Sequence, residues 1–383
     1  MMNGKIAMKE WLAAIISAVM VLSGCGTDMD VTEPTEIIED TRARDMVATM
    51  TLDEKICQLM FVTPESITNT GAVTVAGEVT RLALEKYPVG GIVYFAQNLK
   101  SREQITSMIE NTQSYSKVPL FIGVDEEGGR VARIGSKPQL GTTKIKAMKN
   151  VQSMEEAYII GETLGKDLKG LLFNVDFAPV ADVIVDVKNS EIGDRSFGED
   201  PYWVGKMTES VVKGMEKEGV SSVLKHFPGH GSTVANSHTG YSESTRTVDQ
   251  LRECELIPFK MGIEAGSDFV MVSHMTLVNI EPEKLPSSLS RTVITDLLKN
   301  ELGFDGIVIT DALNMGAVTK EYGISQAAVY AICAGADMLL MPQNVEEAKN
   351  ALLNAVKTGE ITEERINESV EKILRIKIEK GMI

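Results

Sequence analysis

Eight short apolar runs, each followed by an amphipathic segment or a long loop, leave this chain few ways to fold. They cover residues 59–63, 91–95, 120–125, 175–180, 222–227, 269–274, 306–311 and 338–341. Near-continuous apolar runs are the pattern of strands covered on both faces. The segments between them carry helix start signals. Thr51-x-x-Glu54, Ser101-x-x-Gln104 and Ser153-x-x-Glu156 have capping-box form, and Gly303 and Gly335 stand where helices should stop. Strand and helix alternating eight times predict an α/β fold, a single (β/α)8 barrel of the TIM type. An open doubly wound sheet is the rival. No G-x-G-x-x-G opens a helix after a strand and no phosphate-binding loop is present, so a nucleotide site lacks its mechanism. No composition break falls within residues 40–383, which read as one domain, and 43% hydrophobic residues are ample for its core.

The N-terminus reads as a separate object. Lys5 and Lys9 precede an apolar run at 11–22 that is too short to span a bilayer and suits the core of a signal peptide, although Glu10 departs from a purely basic leader. Leu22-Ser23-Gly24-Cys25 resembles the bacterial lipobox, which makes Cys25 the expected lipidation site and residues 1–25 the signal peptide. Residues 26–39 are polar and acidic and read as a tether. The expectation is an extracytoplasmic lipoprotein held to a membrane by its lipid. The formal charge of −16, with no basic block beyond the extreme N-terminus, argues against a nucleic-acid partner. Cys57, Cys254 and Cys333 are odd in number and far apart, which suits neither a disulfide framework nor a zinc site; buried free thiols are expected.

Chemistry concentrates where the runs end. Asp125, His226, His274 and Asp311 fall at the C-terminal ends of predicted strands, the rim on which barrel active sites are built. In VDEEGGRVAR a carboxylate, a tight Gly128-Gly129 bend and two arginines, Arg130 and Arg133, suit gripping a polyhydroxylated ligand; a solvated loop with a local ion pair is the plainer reading. GDRSFGEDP sets Arg195 among three acids. Asp311 follows a β-branched run, where a carboxylate is costly unless it faces the barrel mouth with partners; capping the next helix is the alternative. KHFPGHGSTVANSH packs three of the four histidines into one stretch. Lys225 and His226 end the fifth strand, Pro228, Gly229 and Gly231 turn the chain outward, and His238 comes at the far end of the loop. The spacing H-x3-H-x7-H matches no common metal site, so neither metal nor cofactor is expected, and His230 is read as holding the loop together through hydrogen bonds.

DEEGGRVAR, FAPVADV, GDRSFGEDP, KHFPGHG, MVSHM and TDALNMGA occur here in an order that resembles glycoside hydrolase family 3, specifically its single-domain β-N-acetylglucosaminidases of peptidoglycan turnover. The resemblance covers the chain from Asp40 onward. It implies a retaining exo-β-N-acetylhexosaminidase acting on terminal N-acetylglucosamine of cell-wall-derived saccharides. Asp311 would be the nucleophile and His238 the general acid/base, where a second carboxylate is the rule among glycosidases. Asp125, Arg195, Lys225 and His226 would hold the sugar hydroxyls, with Asp182 and His274 also lining the site. Asn236 departs from the family, which has Asp two residues before the acid/base histidine. Asn accepts a hydrogen bond from the ring but brings no charge to stabilise imidazolium, and its amide can flip. Two alternatives follow: a β-glycoside phosphorylase, since losing a negative charge favours an anionic acceptor, and a sugar-binding lipoprotein with weakened catalysis.

Overall fold

The eight runs form eight strands: β1 (Met60–Val62), β2 (Gly91–Val93), β3 (Phe121–Val124), β4 (Val175–Asp176), β5 (Ser221–Phe227), β6 (Phe269–Val272), β7 (Ile307–Thr310) and β8 (Leu339–Leu340). The computed structural model of the chain describes residues 34–233 and 242–383. Cys25, Asn236 and His238 lie outside the described residues. All strand pairs are parallel and sequential, and β8 returns to pair with β1. An isolated bridge from Ile309 to Met338 joins β7 to β8, with Met338 N–H donating to the Val308 carbonyl at 3.0 Å, and closes the ring. Helical segments follow every strand, among them Arg102–Tyr115 after β2, Met154–Lys169 after β3, Pro201–Glu218 after β4 and Glu363–Glu379 at the C-terminal end.

The start signals act locally, with one refinement. Thr51 and Glu54 form the full reciprocal box. Ser101 and Ser153 accept from the N–H three residues on, but Gln104 and Glu156 reach one residue further back, to Lys100 N and Gln152 N. Gly303 and Gly335 take left-handed conformations at helix ends, as expected. The helix Pro34–Thr49 begins inside the segment expected to be tether, with Pro at its start, where the missing N–H costs nothing. Cys57 is buried as expected, whereas Cys254 is half-buried and Cys333 exposed. The reason is helical phase: Cys333 lies with Gln326 and Tyr330 on the outward stripe of the helix Ile324–Ala334.

The strand period of two sorts side chains between two cores. Phe61, Phe121, Val223, Phe269, Ile307 and Ile309 point inward and pack with one another in the barrel. Their neighbours Met60, Ile122, Leu224, Val270 and Val308 point out and pack beneath the helices. Continuing the inward parity past the strand ends brings Asp125 and Glu127 from β3, Lys225 from β5 and Asp311 from β7 to the barrel mouth. A register irregularity between Leu224 and Phe227 allows His226, next to Lys225, to reach the mouth as well.

The opposite end is closed by the helix Glu363–Glu379, whose Ile373 and Ile376 join the interior core. Lys377 beside them is fully buried, with Gln58 Oε1 at 3.0 Å and the Phe121 ring 5.0 Å from its nitrogen. Burial pushes its ammonium down to about 7, against about 10.4 in an unfolded chain. Between these values the unfolded chain binds a proton that the folded chain lacks. Stability therefore rises with pH over that window, by up to roughly 1.4 kcal/mol per unit. Lys377→Met removes this dependence. Denaturant unfolding at pH 7 and pH 10 should show wild type gaining on the variant as pH rises; a constant difference would show that this amine does not titrate there.

Candidate active site

At the C-terminal mouth lies a cavity of about 280 Å³, whose polar wall includes Asp125, Glu127, Arg195, Lys225, His226 and Asp311. Phe95, Val131, Ile192, Met315 and Met341 give it an apolar side. This lies just under the usual range for drug-sized ligands and suits one sugar ring better than an oligosaccharide.

Glu127 organises the polar wall. It is 3% exposed, accepts both Nε and Nη2 of Arg195 at 2.7 Å, and meets Lys225 Nζ at 2.6 Å. Burial alone would raise its pKa, but the two cations outweigh burial and hold the carboxyl well below the usual range. Lys225, 2% exposed, also donates to Asp125 Oδ1 at 2.9 Å. Burial works against its charge, and Glu127 and Asp125 more than offset that, so its pKa is raised. The fork of Arg195 is thus fixed in the plane of a carboxylate, a geometry that lysine cannot reproduce.

The next layer sets the histidines. Asp182 is fully buried; its Oδ2 accepts from His226 Nδ1 at 2.7 Å and its Oδ1 from the backbone N–H of His230 at 2.6 Å. Burial would raise this carboxyl, but its contacts with His226 and His230 lower it overall. Arg195 Nη2 lies 3.3 Å from His226 Nε2. Arginine only donates, so the ring accepts there and carries its hydrogen on Nδ1, toward Asp182. Gly231 fits because a Cβ at that position would lie 1.8 Å from the Val183 carbonyl oxygen; the loop after β5 lies directly on the 183–186 segment.

Asp311 is anchored by its backbone N–H to the Val272 carbonyl at 2.8 Å, and its Oδ1 accepts from Ala312 N–H at 2.7 Å. It does not cap the following helix Gly316–Thr319, whose cap position is Met315. His274 is placed behind the cavity rather than in its wall. Its Nε2 donates to the Ala312 carbonyl at 3.0 Å and its Nδ1 meets Ser288 Oγ at 2.7 Å. Parity explains this: residues 270, 272 and 274 belong to the outward set, so His274 supports the peptide after Asp311. Asp182 likewise stands behind His226 rather than lining the cavity. The two arginines of the glycine-bend motif divide. Arg130 pairs with Asp194 at 2.9 Å and donates to the Ser190 and Ile192 carbonyls, which fastens a loop, whereas Arg133 lines the cavity. Gly128 and Gly129 make the bend with φ of 89° and 57°.

Sequence reasoning missed Glu127, although inward parity through residues 121, 123 and 125 reaches it. It missed Glu126, whose oxygens accept from Ile134 N and Gly135 N, and Asp176, which accepts Glu126 N–H at 2.9 Å. Burial raises the pKa of both. Among the described residues no group of three His, Cys, Asp or Glu side chains is arranged to hold a metal ion.

The model of the glycosyl hydrolase family 3 N-terminal domain matches residues 51–376. The chain is 33% identical over 342 residues to beta-hexosaminidase A of Pseudoalteromonas piscicida, covering 82% of this chain and 57% of that protein. It is 33% identical over 280 residues to a beta-hexosaminidase of Stenotrophomonas maltophilia, covering 70% of this chain and 81% of the relative. A solved glycoside hydrolase family 3 β-N-acetylglucosaminidase from Paenibacillus superposes with a TM-score of 0.81 at 36% identity, over 87% of this chain and 63% of that one. The chain thus spans somewhat over half of the Pseudoalteromonas and Paenibacillus proteins. The barrel, its polar mouth and these matches agree that the chain belongs to glycosyl hydrolase family 3.

Proposed function

We propose that the protein is a retaining exo-β-N-acetylhexosaminidase that removes terminal N-acetylglucosamine from cell-wall-derived saccharides. One observation carries this reading. The cavity suits a single sugar ring, two of its wall carboxylates, Asp125 and Glu127, are committed to Lys225 and Arg195, and Asp311 at the end of β7 is oriented by the Ala312 amide. The ion network supplies fixed donors and acceptors for ring hydroxyls without reorganising, which is what positioning for catalysis requires. The names of the relatives and of the Paenibacillus structure support the N-acetylhexosamine assignment.

In this mechanism Asp311 attacks the anomeric carbon as the bond to the leaving oxygen breaks and that oxygen takes a proton. The resulting glycosyl ester on Asp311 is then hydrolysed by water, which gives its proton to the base, and the sugar leaves with its β configuration. We assign both proton transfers to His238, on its place in the family motif; histidine titrates near neutrality and can act as acid and base in turn. The lipobox-like 22–25 stretch supports a protein anchored through Cys25 outside the cytoplasm. Among the described residues no helix is long and apolar enough to cross a membrane.

A panel of aryl β-glycosides assayed with and without inorganic phosphate tests the proposal. The N-acetylglucosaminide should be turned over fastest, at a rate indifferent to phosphate, with free sugar as product. Accumulating glycosyl phosphate would make the protein a phosphorylase, and binding without turnover would make it a sugar receptor.

A further inference from the structure

We propose that His230 is a substrate-binding residue whose Nε2 takes one hydroxyl of the terminal sugar, an inference that rests on the sugar cavity proposed above. His230 lies on the short turn His230–Ser232 after β5, is 2% exposed, and lines the cavity. Its backbone already does the work of fastening the loop. The N–H donates to Asp182 Oδ1 at 2.6 Å, and the carbonyl accepts from Asn189 Nδ2 at 2.8 Å. The imidazole adds only a contact between Nδ1 and Thr233 Oγ1 at 2.9 Å, and that hydroxyl also reaches the His230 carbonyl at 3.0 Å. The leftover atom is Nε2, which is buried without a hydrogen-bond partner among the described residues.

An unpartnered buried polar atom costs stability, and native structures keep few of them. A cavity-facing position gives this one a use. Burial lowers the pKa of the ring more than the nearby Glu191 and Asp182 carboxylates raise it, so it is neutral near neutral pH and presents either a lone pair or a single N–H. Which of the two depends on whether the Thr233 hydroxyl donates to Nδ1 or to the carbonyl. A sugar hydroxyl both donates and accepts, and so satisfies either tautomer, unlike a carbonyl or an amide N–H. The terminal sugar is the natural owner of that hydroxyl. The His230 ring stacks edge-on against His226 at 6.0 Å between centroids, and His226 is tied to Arg195 and through it to Glu127 and Lys225. His230 is therefore part of the same polar wall.

The test compares wild type, His230→Leu and His230→Gln, using calorimetric binding of free N-acetylglucosamine and of its monodeoxy analogues, together with thermal unfolding. Losing one neutral hydrogen bond should weaken binding of N-acetylglucosamine by His230→Leu about 3- to 10-fold. For one deoxy analogue, wild type and His230→Leu should bind equally. His230→Gln, which can place an amide nitrogen near the same point, should recover part of the loss. The unfolding temperature of His230→Leu should be no lower than that of wild type, because a buried unsatisfied atom has been removed. Equal binding by wild type and His230→Leu would overturn the inference, leaving a resident water as the partner. A loss spread evenly over every analogue, or accompanied in both variants by lower stability, would overturn it in favour of loop support. Failure of wild type itself to bind N-acetylglucosamine would sink the sugar-cavity reading, and this inference with it.

Discussion

Asp311→Asn should unfold at the same temperature as wild type yet turn over aryl β-N-acetylglucosaminides roughly 10⁴-fold more slowly, a barrier increase of about 5.5 kcal/mol. The substitution keeps the shape of the side chain, and an amide oxygen can still accept the Ala312 N–H that now meets Oδ1. Asp311 is only partly buried, and the interior core ends one turn of parity below it, at Ile309. What is lost is nucleophilicity: an amide cannot form the ester on which the two-step scheme depends. The effect should fall on kcat, while binding of the product sugar stays within a few-fold, because the hydroxyl-holding wall is untouched. Turnover within tenfold of wild type would remove Asp311 from the reaction.

The largest loss of stability should come from Glu127→Gln. Glu127 balances Lys225 and Arg195 with little exposure to solvent; the side chains are 2%, 2% and 12% exposed. Removing one partner from a buried ion pair costs about 3–5 kcal/mol, because the remaining charge stays desolvated. Here two cations would face each other across an amide that cannot neutralise either. Denaturant titration at pH 7 should show that loss, and sugar binding should weaken as Arg195 and Lys225 lose their fixed orientation. The pH dependence has a definite sign. The folded carboxyl titrates below its unfolded value of about 4.3. Its contribution is therefore present above that value and lost as pH falls. The stability gap between wild type and Glu127→Gln should accordingly narrow in acid, below about pH 4.3. A variant within about 1 kcal/mol of wild type at neutral pH would mean that Asp125 alone suffices as counter-ion, against the usual cost of an uncompensated buried charge.

The fold and the candidate site were unequally legible in the sequence. The barrel followed from patterning, since strands buried on both faces are mostly apolar and all eight runs are, even though Asp176 interrupts one and Lys225 and His226 end another. Parity was the finer signal. It separates Asp125, Lys225 and Asp311, which point into the mouth, from His274, which shares the strand-end position but faces outward to Ser288 and the Ala312 carbonyl. Strand-end position alone grouped all of them together. Asp182 shows a different gap. It sits in an irregular stretch after β4, where no period tells which way a side chain points, and its role behind His226 depends on the path of a separate loop. The pairing of Glu127 with Arg195 joins residues 68 apart in sequence, and no local spacing announces a contact between two loops. For Arg130 and Arg133 the sequence offered two equivalent cations, and only the packing of the 190–194 segment decided which one is consumed as a fastener. Cys333 was misjudged because helical phase, not residue type, decides burial.

The central claim is that Asp311 becomes covalently glycosylated, and trapping the ester tests it most directly. A 5-fluoro N-acetylglucosaminyl fluoride slows both steps and carries a good leaving group, so the ester should accumulate. Mass spectrometry of proteolytic fragments should then find the sugar on the peptide containing Asp311, in one-to-one stoichiometry and with matching loss of activity. Label on the peptide containing Asp125, Glu126 and Glu127, or inactivation with no covalent adduct, would contradict the account.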